Sequence, residues 1–233
     1  MRQILFLLLI SVNLLQADCT EALAAYQNGQ EKKAFELYMK EAKKEDTTAQ
    51  RALSFLYFNG IGTPQDEDNG IFWITKAANN GDAKAQFDLA MFYLQGQHLS
   101  QDTQKAMHLL EKSSLQQHPK AQYNLALMYY RGNGVDTNIT KALDYLEKSA
   151  QNHDEEAIKV IGRIYMQRIM FDEAIPWLTQ NATQGDIEAA YLLGEIYCEK
   201  EAFHKAKIWT LKAKESGNKE AMQLWQKYKL QNY

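Results

Sequence analysis

The sequence predicts an all-α chain in which one helical pair stacks on the next, an α-solenoid, and three observations carry that reading. Self-similarity comes first: Ala49, Ala85, Ala121, Ala157, Ala189 and Ala221 stand 36, 36, 36, 32 and 32 residues apart. Each alanine is followed at +4 by Leu53, Leu89, Leu125, Ile161, Leu193 or Trp225, and the first five are followed at +8 by Tyr57, Tyr93, Tyr129, Tyr165 or Tyr197. Apolar or small residues at 0, +4, +5, +7 and +8 share one face of a helix of 3.6 residues per turn. Third, glycines and short polar residues recur at the same places in successive periods, where helices have to stop and start.

Residues 1–17 read as an address. Met1-Arg2-Gln3 is a short positive start, Ile4 to Val12 is almost unbroken apolar sequence, and the segment descends to a small residue at Ala17. This is the layout of a secretory signal peptide with cleavage near Ala17. A membrane anchor would need roughly 20 apolar residues, and the apolar core here is about twelve. A lipoprotein signal is rejected because Asp18 stands where a small residue must precede Cys19.

From residue 18 to 233 the chain reads as a single solenoid domain, with repeats at approximately 18–46, 47–82, 83–118, 119–154, 155–186 and 187–218 and a capping helix at 219–229. Leu23 and Tyr26 open the first pair, whose second helix runs through Ala34, Leu37 and Ala42. In the later pairs helix A carries the alanine series. Helix B starts from a small residue, Gly70, Ala106, Ala142, Ala174 or Ala206, followed at +3 by Trp73, Leu109, Tyr145, Trp177 or Trp209. Lys76, Lys112, Lys148 and Lys212 fall near the ends of the B helices, where positive charge suits the helix dipole. Gly81, Gly185 and Gly217 supply left-handed residues after helix B, and Asp82, Asp154, Asp186 and Asn218 cap the next helix A. Pro119 fits a first helical position. Gly60 with Gly62 and Gly132 with Gly134 shape the A–B turn; Gly96 keeps one of that pair and His98 replaces the other. Asp66, Asp102 and Asn138 then cap helix B. The two 32-residue repeats lack four residues of this turn. Lys219, Glu220, Lys227 and Lys229 give the last helix the charged outer face that a terminal cap requires.

Lys120-Ala121-Gln122-Tyr123-Asn124-Leu125-Ala126-Leu127-Met128-Tyr129-Tyr130-Arg131-Gly132-Asn133-Gly134-Val135, with the Lys-Ala endings of helix B, resembles the pattern of Sel-1-like repeats, relatives of tetratricopeptide repeats. The resemblance covers essentially all of the chain after the leader and departs from the pattern where the last two full repeats shorten. It implies a right-handed α/α superhelix of about six helical pairs plus a C-terminal capping helix. It also implies scaffolding work in secretion, envelope maintenance, signalling or host contact. Cysteine-rich members of the family are β-lactamases or penicillin binders with a cysteine pair in each repeat, and this chain has only Cys19 and Cys198.

The residues offer little for catalysis. The net charge of −3 gives no electrostatic footprint for nucleic acid or an anionic membrane. The five histidines, His98, His108, His118, His153 and His204, show no paired spacing for a metal and are expected at the surface. Ser216-Gly217-Asn218-Lys219 matches Ser-x-x-Lys formally, but it falls at a repeat junction with no Lys-Thr-Gly partner. Cys19 and Cys198 lie five repeats apart, roughly 40–50 Å at about 10 Å per stacked pair, and a disulfide needs Cα atoms within about 7 Å. Cys198 is expected as a small buried residue. Asp136-Thr137-Asn138-Ile139-Thr140 fits an acidic-first bacterial glycosylation acceptor, and Asn138 fits a helix cap equally; Asn181-Ala182-Thr183 is a weaker acceptor inside helix B.

Helix A of each pair lines the concave side of such a stack, and its positions +2 and +6 are not required for packing. From these positions Phe55, Phe87, Met91, Tyr123, Leu127, Lys159, Arg163 and Tyr191 are the candidate partner-binding residues. Aromatic and methionine anchors beside charge suit a peptide groove, and the same stripe can also be buried between adjacent helices. The function expected is that of an exported, non-enzymatic adaptor, periplasmic or extracellular, holding a protein or peptide partner. Neither a cofactor nor a metal is expected, nor nucleic acid or stable membrane insertion, and a monomer is expected, with a Cys19-linked dimer as the alternative. The rival readings are a weak β-lactam hydrolase or peptidoglycan-linked binder, and a structural spacer subunit of an envelope complex.

Overall fold

A computed structural model describes residues 19–233; the leader expected over residues 1–17 lies outside the described residues. Among these the chain is all-helical, with short turns and no strand. The helices are α1 (residues 19–27), α2 (Glu31–Ala42), α3 (Thr47–Asn59), α4 (Glu67–Asn79), α5 (Ala83–Gln95), α6 (Thr103–Leu115), α7 (Pro119–Arg131), α8 (Ile139–Gln151), α9 (Glu155–Gln167), α10 (Phe171–Thr183), α11 (Ile187–Glu199), α12 (Phe203–Glu215) and α13 (Lys219–Lys227). Consecutive helices pack as pairs, α3 on α4, α5 on α6, α9 on α10 and α11 on α12, in the helix-turn-helix arrangement of an α-solenoid.

The chain divides into two compact units. The first holds the residues up to Leu125 with Gly132–Asp136, and the second holds Ala126–Arg131 with Thr137–Tyr233. The alanines that define the period are fully buried in both, because neighbouring helices approach across them. In the first unit Leu53, Leu56, Tyr38 and Trp73 form one core cluster, and Ile74, Ala77, Ala85 and Leu89 form the next. In the second, Cys198, Ala206, Leu224 and Leu230 close the C-terminal end. Leu230 reaches that core because α13 stops at Lys227, Lys229 turns left-handed at φ 49°, and a single 3-10 turn, Leu230–Asn232, folds back.

Helix starts follow the acidic and amide residues. Asp46, Asp82, Asp154, Asp186 and Asn218 accept the N–H three residues on at 2.7–3.0 Å, and Asp66, Asp102 and Asn138 do the same for α4, α6 and α8 at 2.9–3.0 Å. Gly62 is forced by approach as well as by its φ of +69°, since a Cβ there would lie 2.3 Å from the carbonyl oxygen of Glu31.

Two histidines depart from the surface positions expected of them. His118 fills the cap position that aspartate fills elsewhere: its Nδ1 accepts the Ala121 N–H at 3.3 Å and its ring lies 5.0 Å from Phe87. Burial lowers its pKa, helped by Lys84 and Lys120. His98 is half-buried, stacked 4.4 Å from Phe58 where its φ of 61° turns it inward. No helix among the described residues is long and apolar enough to cross a membrane.

Candidate partner-binding site

In the first unit the spare positions of the A helices open onto a cleft of about 1000 Å³, walled by Leu23 and Tyr26 from α1, Arg51 and Phe55 from α3, and Asp88 and Met91 from α5. The placement follows from helix periodicity. Leu53 and Leu56 point into the core, which leaves Phe55 between them facing out and 51% exposed. Tyr26 meets Phe55 edge to face at 6.4 Å, and Leu23 and Tyr26 are themselves exposed. Water therefore meets three large apolar side chains on neighbouring helices, a surface of the kind that folded chains use for binding.

The charges in this cleft are unevenly satisfied. Asp46 is engaged, its Oδ1 accepting from the Ala49 N–H at 2.7 Å and from the Cys19 thiol at 3.4 Å. Arg51 leans on the cap of the next helix, with Nε 3.7 Å from Asp82 Oδ1. Asp88 makes no hydrogen bond and no salt bridge to a described residue, and burial pushes its carboxyl above the usual aspartate range despite Arg51.

Of the residues singled out by sequence, Phe55 and Met91 come together in this cleft. Phe87 is half-buried on His118, and Tyr123 is half-buried on α7. The second unit holds the other four. Leu127 is half-buried; Lys159 is exposed, with Nζ 2.9 Å from Glu156. Arg163 is held by Asp186 at 2.9 Å and Glu188 at 3.2 Å. Tyr191 packs on the cluster of Cys198, Leu224 and Leu230, and burial raises its hydroxyl pKa.

Sequence reasoning passed over Leu23, Tyr26, Arg51 and Asp88 as site residues. Asp88 left a readable signal. It stands three residues after the repeat alanine, where the other repeats carry Ala52, Asn124, Val160 and Leu192.

The remaining chemical candidates are accounted for by structure. Ser216 Oγ donates to the carbonyl of Lys212 at 3.0 Å as α12 ends. Cys198 is buried, and its thiol is pushed up to about 11, so it stays protonated at neutral pH. Asn138 is committed to its cap, and Asn181 is buried with Nδ2 donating to the Ile158 carbonyl at 3.0 Å. Among the described residues no three His, Cys, Asp or Glu side chains are grouped to hold a metal ion.

The Sel1 repeat family model matches residues 47–82, 83–118, 119–154 and 187–218. A Sel1 repeat protein from Oxalobacter formigenes superposes with a TM-score of 0.66 at 24% identity, over 88% of this chain and 86% of its own. A protective antigen present in uropathogenic Escherichia coli strains, displaying an SLR fold, gives 0.64 at 28% identity over 84% of this chain. The match spans 44% of that antigen's length. Pseudomonas aeruginosa pilF shares the fold at a TM-score of 0.52 and 15% identity, over 91% of this chain and 97% of its own. No curated protein matches the chain. Four matched repeats occupy more than half of the sequence, and the helical pairs they predict are the ones the structure shows: the chain belongs to the Sel1 repeat family.

Proposed function

We propose that this chain is an exported, non-enzymatic adaptor that holds a protein or extended peptide partner on the inner faces of its A helices. The observation that carries the reading is the cleft of the first unit, where Leu23, Tyr26 and Phe55 are exposed beside Met91. Clefts of several hundred Å³ with apolar walls and a few polar groups are the usual form of a binding site. The candidate surface continues in sequence through Phe87, Tyr123, Leu127, Lys159, Arg163 and Tyr191. The signal-peptide pattern of residues 1–17 supports export to the periplasm or beyond.

The test is affinity capture from the native compartment, with the protein compared against Phe55→Asp, and bound proteins read by mass spectrometry. Phe55 is half exposed, so its replacement leaves helicity and melting temperature near the parent values. A partner held by the parent and lost from the folded variant establishes the cleft. A partner retained by both moves the interface elsewhere, and the adaptor then works through another face. Serine-dependent hydrolysis of a chromogenic β-lactam, absent from Ser216→Ala, would overturn the non-enzymatic reading.

A further inference from the structure

Asp88 is the feature of the cleft that packing does not explain. A carboxylate placed against an apolar wall loses hydration, and it is retained at little cost only where it has a partner. Of the other charged groups of the lining, Asp46 is engaged by the Ala49 N–H and the Cys19 thiol, and Arg51 is drawn to Asp82 by a long ion pair of 3.7 Å, with its buried Nε making no hydrogen bond. The groups that face Asp88 are Arg51 from α3, Asp82 and Lys84 around the start of α5, and Lys120 from α7. None of them forms an ion pair with it, and burial outweighs them all in setting its proton affinity. The carboxylate shares the lining of the cleft with Phe55, Met91 and Phe92, which supply apolar and aromatic surface. One uncommitted carboxylate is too few for a metal site, which draws on several oxygen or nitrogen ligands, and it repels an acidic segment.

We infer that the cleft takes a peptide segment that sets a lysine or arginine against Asp88 and an adjacent leucine or aromatic side chain against Phe55 and Met91. The inference rests on the adaptor reading above and specifies the chemistry of its partner. The cation replaces the water that Asp88 loses, and the apolar neighbour covers the exposed ring of Phe55. A basic residue alone, or an apolar residue alone, satisfies only half of the site.

An array of capped twelve-residue peptides of randomised sequence, probed with the protein, with Asp88→Asn and with Phe55→Asp, tests this. The expected result is enrichment of lysine or arginine within two residues of leucine, phenylalanine or tyrosine. The best such peptide should lose at least tenfold in affinity on Asp88→Asn. Its norleucine-for-lysine analogue should bind the protein and Asp88→Asn equally, which ties the loss to that one pair. Enrichment of acidic or purely apolar peptides that Phe55→Asp abolishes would overturn the charge assignment while leaving the adaptor reading intact. A blank array overturns it too. If that blank comes with self-association that Phe55→Asp abolishes, the occupant is a second copy of the chain. If no binding or self-association depends on Phe55, the cleft reading falls as well. Circular dichroism on both variants confirms that the helices are retained.

Discussion

The Gln86 side chain donates from Nε2 to the carbonyl oxygen of Ala78 at 3.1 Å, across the junction between α4 and α5. Gln50 bonds Ala42 in the same way at 3.2 Å, and Gln122 bonds Ser114 at 3.4 Å. All three glutamines are buried. Each of these carbonyls lies at a helix end, where the regular i+4 donor is missing. Each already accepts a turn N–H, from Glu45 to Ala42 at 3.2 Å, Gly81 to Ala78 at 3.1 Å and Gln117 to Ser114 at 2.9 Å, so the glutamine adds a second donor that ties the next helix to it. Gln86 also accepts from Gln116 Nε2 at 2.9 Å, which links successive junctions. Gln86→Ala is expected to destabilise the first unit by about 0.5–1.5 kcal/mol, the net worth of an ordinary hydrogen bond, because the Ala78 carbonyl keeps the Gly81 N–H. Urea denaturation of variant and parent checks it, and a change near zero would mean that water takes over the bond.

Gly70 opens helix B of its pair, where the other full repeats carry alanine. A Cβ there would lie 2.7 Å from the ring of Phe58. Alanine gains about 1 kcal/mol over glycine inside a helix, but overpacking typically costs about 1–3 kcal/mol. Gly70→Ala should therefore leave stability unchanged or lower it. Adding Phe58→Leu, which restores the leucine found at position 94 in the next repeat, should recover the loss. Melting temperatures of the two single variants and the double variant read this coupling, and strict additivity would show that the ring moves aside without cost.

The fold was legible wherever one residue type does one job. Aspartate or asparagine after a turn became a cap, and the alanine series became the buried seam, because few other residues satisfy those demands. His118 was misread because a histidine can cap a helix as readily as it can face water, and only the Phe87 ring beside it shows which. The buried glutamines were missed since a polar residue beside each repeat alanine looks like exposed surface until the carbonyl beneath it is seen. The cleft was half legible. Phe55 and Met91 follow from helix periodicity, as does the position of Arg51 two residues after Ala49, whereas Leu23 and Tyr26 join them only through the approach of α1 to α3.

Ile169 sits in the left-handed region at φ 59°, 75% exposed, in the short turn between α9 and α10. In the first pair Gly29 takes the corresponding place at φ 72°. The left-handed region costs a side chain with a Cβ roughly 1–2 kcal/mol, and glycine returns up to about 1 kcal/mol of that through the greater entropy of its unfolded chain. Ile169→Gly should stabilise the second unit by about 0.5–1 kcal/mol, since little apolar contact is lost. Guanidinium denaturation of the variant measures it. A loss of stability would mean that the isoleucine side chain contributes packing that its exposure conceals.

Asp88 is expected to oppose folding at neutral pH. Its carboxyl holds its proton more tightly in the folded chain than in the unfolded one, because burial disfavours the charge. The folded state therefore binds more protons over the window that starts at the ordinary aspartate value near pH 4, and stability falls as the pH rises through it. Asp88→Asn keeps the shape and removes the charge. It should melt at a higher temperature than the parent at pH 7, with the gap narrowing as the pH is lowered toward about 4. Thermal melts of both proteins at unit steps from pH 4 to pH 8 give the comparison. A gap that stays constant with pH would show that the carboxylate is already compensated within the fold, and would leave its apolar surroundings without a role in tuning it. A gap that opens with pH identifies Asp88 as a group kept against the stability of the chain, as residues reserved for a partner commonly are.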